Sequence, residues 1–214
     1  MPGYKYIIWD WNGTILDDLK LNLEVENTLL SRRGRRLIGS IAEYHEKFQF
    51  PIIKFYEELD FDLENESFED IAKEYVREFD ERFYELEVFS DAKDAVSDFK
   101  CEGIKQVILS QTEQKWLEKQ VEHHNMTELF TELLGARDIY VKGKVAMALK
   151  WIEENGIDAR DVLMVGDTVH DFEVSESIGC DCVLIARGHH SRERLMTTTA
   201  TVIDSIDELR RMVI

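Results

Sequence analysis

The stretch YIIWDWNGTILDD, residues 6–18, runs from a block of bulky apolar residues into acids and an asparagine–glycine pair. A short apolar run that stops at polar residues and a glycine is typical of a buried β-strand reaching the edge of its sheet. Asp10 then lies at the carboxyl end of that strand, and Asn12 follows two residues later. The stretch therefore predicts a strand that delivers polar side chains to one sheet edge.

The same form recurs along the chain, and helical stretches separate its copies. Alternating strand and helix predict an α/β fold, a doubly wound parallel sheet with a Rossmann-like core. The further strands are KQVILS (105–110), DVLMVGD (161–167), DCVLIA (181–186) and a weaker TVID (201–204), and the helices precede 105, 161 and 181.

The region after the first strand has a different pattern. It is acidic and almost wholly helical, with apolar residues at three- and four-residue spacing and no strand-like run. We therefore predict a helical cap over residues 18–88, inserted after the first strand of a core formed by residues 1–17 and 89–214. Pro51, the only proline of this insert, predicts a break between two of its helices.

Composition restricts the partners of the protein. The chain has 214 residues, 44% of them hydrophobic, and no apolar run of the roughly 18 residues that a membrane span needs, so we expect no membrane partner. Its N-terminus lacks the features of a signal peptide, which favours a cytoplasmic location. The net charge of −18 argues against nucleic acid as a partner. The basic stretch RRGRR, residues 32–36, is interpreted as a solvated turn between helices.

The three cysteines form neither a CxxC pair nor an even set, so we expect small buried residues in a reducing compartment rather than disulfides or zinc ligands. Cys101, Cys180 and Cys182 are these residues.

Polar residues at the ends of several predicted strands are the candidates for chemistry. In open parallel sheets, ligands bind beyond the carboxyl ends of the strands. Asp10, Ser110 and Asp167 occupy such ends. Asp171 lies one helical turn after Asp167, so both carboxylates can face the same space, and Lys144 opens the helix before that strand.

This ordered set resembles the four motifs of the haloacid dehalogenase-like hydrolase superfamily, and the helical insert resembles the cap of its phosphoglycolate phosphatase-like branch. The first and last motifs are specific, the middle two are weak alone, and all four occur in the expected order. They read YIIWDWNGT (6–14), QVILS (106–110), VKGK (141–144) and VLMVGDTVHD (162–171).

The resemblance implies Mg²⁺-dependent phosphoryl transfer. Asp10 would attack phosphorus and form an aspartyl-phosphate that water hydrolyses. Mg²⁺ would be held by the carboxylates of Asp10 and Asp167 and by the backbone carbonyl of Asn12, with Asp171 behind them. The implied substrate is a small phosphorylated metabolite.

The resemblance also implies three contacts to phosphate oxygens. They come from Ser110, from the backbone N–H of Gln111 and from a lysine. Lys142 and Lys144 both flank Gly143. We favour Lys144, because apolar residues then follow it on one helical face.

The family usually has an acid two residues after the nucleophile, and this chain has Asn12 there. An amide keeps the backbone carbonyl for the metal but cannot exchange a proton near neutral pH. General acid–base catalysis contributes roughly 10²–10⁴ in rate. Three hypotheses therefore stay open: a phosphatase, with weak activity on alkyl esters; another hydrolase of the superfamily that cleaves a non-ester bond; and a low-turnover protein that binds or senses phosphate.

Two further groups of residues are assigned provisionally. His170, His189 and His190 could be metal ligands, but solvated loop histidines are the favoured interpretation. Trp11, Phe48, Phe50 and Tyr56 are expected to be core residues. Lys54 and Tyr56, beside the Pro51 break, are nevertheless where a cap of this branch would touch the leaving group.

Overall fold

A computed structural model describes residues 3–136 and 143–214. The helices and strands alternate after the insert, as the pattern predicted. In chain order they are β1 Tyr6–Trp9, α1 Leu19–Arg32, α2 Ile41–Lys47, α3 Ile52–Glu58, α4 Phe68–Arg82, α5 Ala92–Cys101, β2 Lys105–Glu113, α6 Gln114–His123, β3 Glu132–Ala136, α7 Lys144–Asn155, β4 Val162–Gly166, α8 Val169–Ile178, β5 Asp181–Ile185, α9 Arg192–Leu195, β6 Thr201–Ile203 and α10 Ile206–Val213.

Within the described residues, six strands form one parallel sheet in the order β3-β2-β1-β4-β5-β6. β1 is central, and Trp9 at its end pairs in register with Ile108 of β2 and Val165 of β4. The chain order reverses between β1 and β4, which is the switch point where ligands bind in such sheets. The predicted doubly wound, Rossmann-like fold is confirmed.

Helices cover both faces of the sheet. On one face, Ile8 packs with Trp151 of α7 and Val174 of α8. On the other face, Trp9 packs with Phe99 of α5 in a hydrophobic cluster that continues into the insert. Strands buried on both faces are continuously apolar, which is why the sequence showed them as unbroken hydrophobic runs.

The insert leaves and rejoins the sheet at one place. Leu16 pairs antiparallel with Val88, the Phe89 N–H donates to the Ile15 carbonyl (2.9 Å), and α1–α4 lie between these two ends. Pro51 directly precedes α3, so the predicted break between helices is present. The division into a core and a cap domain at 17/18 and 88/89 stays a prediction.

Four elements were absent from the sequence interpretation: β3, α6 and the two short helices α9 and α10 near the end of the chain. β3 is a five-residue edge strand, too short and too weakly apolar to stand out, and α6 follows β2 without a glycine or proline between them. β2 also runs three residues past Ser110, where the predicted strand ended. Its register with β3 shifts between Leu109 and Glu113, so the strand leaves regular pairing where its polar residues begin.

The basic stretch 32–36 begins at the last residue of α1 and continues into the connection to α2, as predicted, with Gly34 at a positive φ of 62°. Arg32 is exposed, as expected, whereas Arg33 is half-buried. Arg32 pairs with Glu74 and Glu78 of α4 (2.7 and 2.8 Å), and Arg33 also pairs with Glu74 (2.7 Å). These ion pairs join α1 to α4.

The expectation of buried cysteines was wrong for Cys101, which is exposed at the end of α5, whereas Cys180 and Cys182 are half-buried. All three are free thiols. Among the described residues, no helix combines the length and the apolar character needed to cross a membrane.

Candidate active site

Three carboxylates meet at the switch point of the sheet. Asp10 follows β1, Asp167 follows β4, and Asp171 lies in the first turn of α8, with oxygens of all three within 4.8 Å of one another. All three side chains are buried. Burial raises the pKa of Asp10 well above its ordinary value, and it raises the pKa of Asp167 as well. Burial and mutual repulsion both disfavour the ionised form of these carboxylates, so a positive charge beside them is stabilising.

Lys144 supplies part of that charge. It opens α7, and its Nζ donates to Asp10 Oδ1 (2.5 Å) and to Asp171 Oδ1 (2.8 Å). Burial opposes the charged form of the lysine, but the two carboxylates outweigh it and raise the pKa of Lys144. Lys142, the alternative phosphate lysine, lies outside the described residues.

Asp171 is held rigidly by the start of α8. Thr168 caps the helix: its Oγ1 accepts from the Asp171 N–H, and Asp171 Oδ2 accepts from the Thr168 N–H (3.1 Å) and hydroxyl (2.6 Å). Burial opposes ionisation of Asp171, yet Lys144 and Thr168 hold its pKa below the ordinary value. Both of its oxygens have partners, so Asp171 is suited to orient Lys144.

Asp167 is wedged between two backbone segments. Its Oδ1 accepts from the Thr14 hydroxyl (2.9 Å) and its Oδ2 from the His189 N–H (2.6 Å). A Cβ at Gly13 or at Gly188 would lie 2.4 or 2.1 Å from Oδ2, and Gly13 also has a φ of 71°. Only glycine allows both segments to approach this carboxylate so closely.

Asn12 is oriented by a hydrogen-bond acceptor on one side of its amide and by hydrogen-bond donors on the other. Its Nδ2 donates to Asp18 Oδ2 (2.7 Å), and its Oδ1 accepts from the Thr112 hydroxyl (2.9 Å) and more weakly from Ser110 Oγ (3.4 Å). Asp18 Oδ1 also accepts from the Gly13 N–H (2.8 Å). The amide therefore matches its surroundings, because position 12 must donate toward Asp18.

Ser110 is buried beside Asn12. Gln111 follows it in β2, at the point where pairing with β3 becomes irregular, and its side chain is exposed. The phosphate-binding roles of Ser110, Gln111 and Lys144 stay predictions.

The interpretation of the histidines as solvated was wrong for His189 and His190, which are only 5% and 2% exposed. Their loop turns inward because Gly188 packs against Asp167. His189 Nε2 lies 3.3 Å from Asp18 Oδ1. Burial by itself lowers the pKa of His189, but the Asp18 carboxylate, with smaller contributions from Asp167 and Asp10, raises it to about 9.

His190 has the opposite character. Its Nδ1 accepts from the Val169 N–H (3.0 Å), so Nε2 carries the hydrogen of the neutral ring, and burial lowers the pKa of His190 to about 3. Nε2 is buried without a hydrogen-bond partner. His170, the third histidine, is partly buried and its ring lies 4.9 Å from that of Phe50.

The insert closes over this histidine loop. The Tyr44 hydroxyl lies 2.9 Å from His189 Nδ1, His45 Nε2 donates to the Gly188 carbonyl (2.9 Å), and Arg194 Nη1 donates to the Phe48 carbonyl (2.5 Å). Residues from α2 and the segment after it therefore contact the loop that carries His189.

The aromatic residues that were expected in the core are mostly there. Trp11, Phe48 and Tyr56 are buried, and Phe50 is half-buried. Tyr56 donates to Glu26 Oε1 (3.3 Å) inside the insert, and Lys54 is exposed. A contact of either residue with a leaving group stays a prediction.

The carboxylate cluster has the donor chemistry of a Mg²⁺ site. Among residues 3–136 and 143–214 it is the one group of acids, histidines or cysteines close enough to share an ion, and it offers only oxygen. Mg²⁺ prefers carboxylate and water oxygens. Asp10 and Asp167 would hold the ion, and Asp171 would stand behind them. The histidines are not members of this cluster, so the alternative of histidine ligands has no support.

Several residues of the site were not identified from the sequence. Thr14, Thr112 and Asp18 contact the motif residues, and His189 and Tyr44 reach them from elsewhere in the chain. One signal was available for Asp18: polar residues recur every fourth position after it on an otherwise apolar helix face. No local signal marked His189, because its burial depends on a distant carboxylate.

Comparison with known proteins supports the same family. A family model described as haloacid dehalogenase-like hydrolase matches residues 7–185. A relative named phosphoglycolate phosphatase, from Photobacterium profundum, is 22% identical over 99% of this chain and 95% of its own. Another with that name, from Aliivibrio fischeri, is 24% identical, but the match spans only 54% of this chain and 52% of the relative.

Solved structures share the fold over nearly the full chain. A predicted phosphatase from Clostridium acetobutylicum superposes with a TM-score of 0.85 at 20% identity, covering 98% of each chain. A predicted phosphoglycolate phosphatase from Haemophilus somnus gives a TM-score of 0.80 at 18% identity, covering 100% of each. The resemblance to this superfamily and to its phosphoglycolate phosphatase-like branch is confirmed: the chain belongs to the haloacid dehalogenase-like hydrolase family.

Proposed function

We propose that the protein is a Mg²⁺-dependent phosphatase that hydrolyses a small phosphorylated metabolite through an aspartyl-phosphate on Asp10. The observation that carries this proposal is the meeting of Asp10, Asp167, Asp171 and Lys144 at the switch point of the sheet. Relatives named phosphoglycolate phosphatase support the class of reaction.

Each side chain of the site has a separate role in the proposed reaction. An Asp10 carboxylate oxygen bonds to phosphorus as the ester oxygen departs with its electron pair, and water then attacks phosphorus and releases phosphate and the free carboxylate. Lys144 neutralises charge on the phosphoryl group, and Asp171 holds the lysine in place. Ser110 donates to a phosphate oxygen. Bound Mg²⁺ would further neutralise the phosphoryl oxygens.

A low-turnover phosphate-binding protein is the second candidate, and the orientation of Asn12 favours it. Position 12 donates to Asp18 and has no exchangeable proton near neutral pH. Purified protein should be screened against phosphorylated metabolites and an aryl phosphate, with Mg²⁺ and with a chelator, by measuring phosphate release. Mg²⁺-dependent release supports the phosphatase. Phosphate binding without release from any ester would favour the second candidate.

Mg²⁺ is expected to stabilise the fold, because the ion relieves repulsion among three buried acids. At about 100 times its Kd, a ligand that binds only the folded state adds about 2.7 kcal/mol, or about 5–10 °C in Tm for a chain of this size. Asp167→Asn should lose most of this shift. Asp207→Asn, the same change at an exposed position of α10, should keep it. Equal shifts in Asp167→Asn and the native protein would place the ion elsewhere.

A further inference from the structure

Arg187 joins the two backbone segments that enclose Asp167. One segment carries Thr14, whose hydroxyl donates to Asp167 Oδ1 (2.9 Å), and the other carries His189, whose N–H donates to Oδ2 (2.6 Å). Arg187 belongs to the second segment, directly before Gly188, and its Nη2 reaches across to donate to the Thr14 carbonyl (2.7 Å). One side chain therefore ties together the donors to both oxygens of this carboxylate.

The guanidinium of Arg187 is itself held in a fixed orientation. Its Nη1 donates to Asp91 Oδ1 (2.7 Å), and Asp91 Oδ2 accepts from the Ile206 N–H at the start of α10 (2.7 Å). Its Cζ lies 3.8 Å from the centroid of the Phe89 ring. The side chains of Arg187 and Asp91 are only 13% and 14% exposed. A planar guanidinium that is stacked on an aromatic ring and paired with a carboxylate is pre-organised, so its contact with Thr14 does not depend on a mobile surface side chain.

Stability alone is a weak reason for this arrangement. Burial lowers the pKa of Arg187 although Asp91 opposes the shift, and among the described residues its Nε is buried with no hydrogen-bond partner. A buried ion pair with an unsatisfied N–H often contributes less to stability than apolar side chains of the same size. What the arginine supplies, and an apolar side chain could not, is a donor aimed at the Thr14 carbonyl.

We propose that Arg187 is a positioning residue for Asp167, the carboxylate assigned to the metal, and that it raises the affinity of the site for Mg²⁺ by holding Thr14 in place. The inference rests on the Mg²⁺-dependent function proposed above. Groups that orient a metal ligand typically contribute roughly 10–100-fold in metal affinity. Without Arg187, the Thr14 carbonyl loses its buried donor, and the Thr14 hydroxyl is no longer fixed beside Oδ1.

The charge of Arg187 acts in the opposite direction to its hydrogen bonds. Arg187 lies within electrostatic range of Asp167, and a cation there competes with Mg²⁺ for the same negative charge. If charge were its main effect, removing the arginine would tighten Mg²⁺ binding. If positioning is its main effect, removing it weakens Mg²⁺ binding. The sign of the change in Mg²⁺ affinity therefore distinguishes the two roles.

The test measures the Kd for Mg²⁺ without substrate, by calorimetry and from the rise of Tm with Mg²⁺ concentration. Arg187→Met keeps an unbranched apolar side chain against Phe89 and removes both hydrogen bonds, so its Kd should be at least about tenfold above the native value. Arg187→Lys keeps the charge but not the fork of donors, so its Kd should lie between the two. A Kd in Arg187→Met at or below the native value would overturn the inference, even if Tm falls. Where Arg187→Met does not fold, the same criterion applies to Arg187→Lys.

Two further variants test the route and the specificity of the effect. Thr14→Val nearly keeps the shape of the side chain but removes its hydroxyl; in that background Arg187→Met should change the Kd by less than about twofold. The full tenfold loss in both backgrounds would overturn the route through Thr14. Arg192→Met is the matched control, because Arg192 lies five residues later and pairs with Asp204 (2.5 Å) through a side chain that is 43% exposed. It should keep the native Kd, and an equal loss there would overturn the assignment to Arg187.

Phosphate release separates failure of this inference from failure of the proposed function. Mg²⁺-dependent release by the native protein, with a native Kd in both Arg187 variants, would leave the phosphatase in place and overturn the inference. Weakened Mg²⁺ binding in the variants, with no release from any ester by the native protein, would overturn the phosphatase and support the inference. Absence of Mg²⁺ binding by the native protein would overturn both.

Discussion

Replacing Asp10 by asparagine is expected to abolish phosphate release from every substrate. The amide nearly matches the carboxylate in shape, but it cannot attack phosphorus as an anion, and it presents no charge to Lys144, which donates to Asp10 Oδ1 at 2.5 Å. Loss of a catalytic nucleophile costs on the order of 10⁶ in kcat in a well-studied protease. We expect a loss of at least about 10⁴, measured with an aryl phosphate, whose leaving group needs no proton.

Asp17→Asn is the matched control for this experiment. Asp17 belongs to the same stretch of sequence but is exposed, and it should retain turnover. Acid-quenched samples analysed by mass spectrometry should show a phosphorylated chain for the native protein and none for Asp10→Asn. Native turnover by Asp10→Asn would contradict the covalent mechanism.

The second large effect is expected at position 12, and it requires two substitutions. From the sequence alone, Asn12→Asp would be expected to restore the missing acid. The structure changes that expectation, because Asn12 Nδ2 donates to Asp18 Oδ2 at 2.7 Å, and aspartate would bring two carboxylates into contact. His189 compensates one charge of such a pair, since it already contacts Asp18. We therefore expect Asn12→Asp alone to lower Tm and to gain little activity.

Exchanging the residues at positions 12 and 18 should allow a carboxylate at position 12 to act as the general acid. In Asn12→Asp/Asp18→Asn, the amide at 18 can donate to the carboxylate at 12, and the total charge is unchanged. The double variant should turn over alkyl phosphates faster than Asn12→Asp by a factor within the roughly 10²–10⁴ range of acid–base catalysis, and aryl phosphates by much less. Asn22, which also donates to Asp18 Oδ2, opposes part of this gain.

Four proteins complete the cycle: the native chain, each single variant and the double variant. The coupling between positions 12 and 18 is then measured directly, both in Tm and in kcat for alkyl esters. Intact mass must confirm asparagine at 12 in the native sample, because an Asn–Gly pair deamidates readily. Additive effects of the two substitutions would show that the hydrogen bond between these side chains does not determine the role of position 12.

The sequence by itself determined the fold and the main carboxylates. Apolar runs that end in polar residues report buried parallel strands, and the carboxyl ends of such strands meet at one edge of the sheet, so Asp10 and Asp167 had to lie close together. Asp171 follows from helix periodicity, and Lys144 from its place at the start of a helix. These inferences need only local pattern and the geometry of a parallel sheet.

Only the tertiary structure decided the surroundings of these residues. Hydrophobic periodicity shows which face of an element is buried, but it does not show which distant group covers that face. His189 is buried because Asp18 and Asp167 meet its loop, and Glu26 of α1 is buried against α3, where Tyr56 donates to its Oε1. The partner of Asn12 is likewise set by where α1 begins relative to β1. Contacts between elements far apart in the chain depend on packing, and packing is the information that a local pattern lacks.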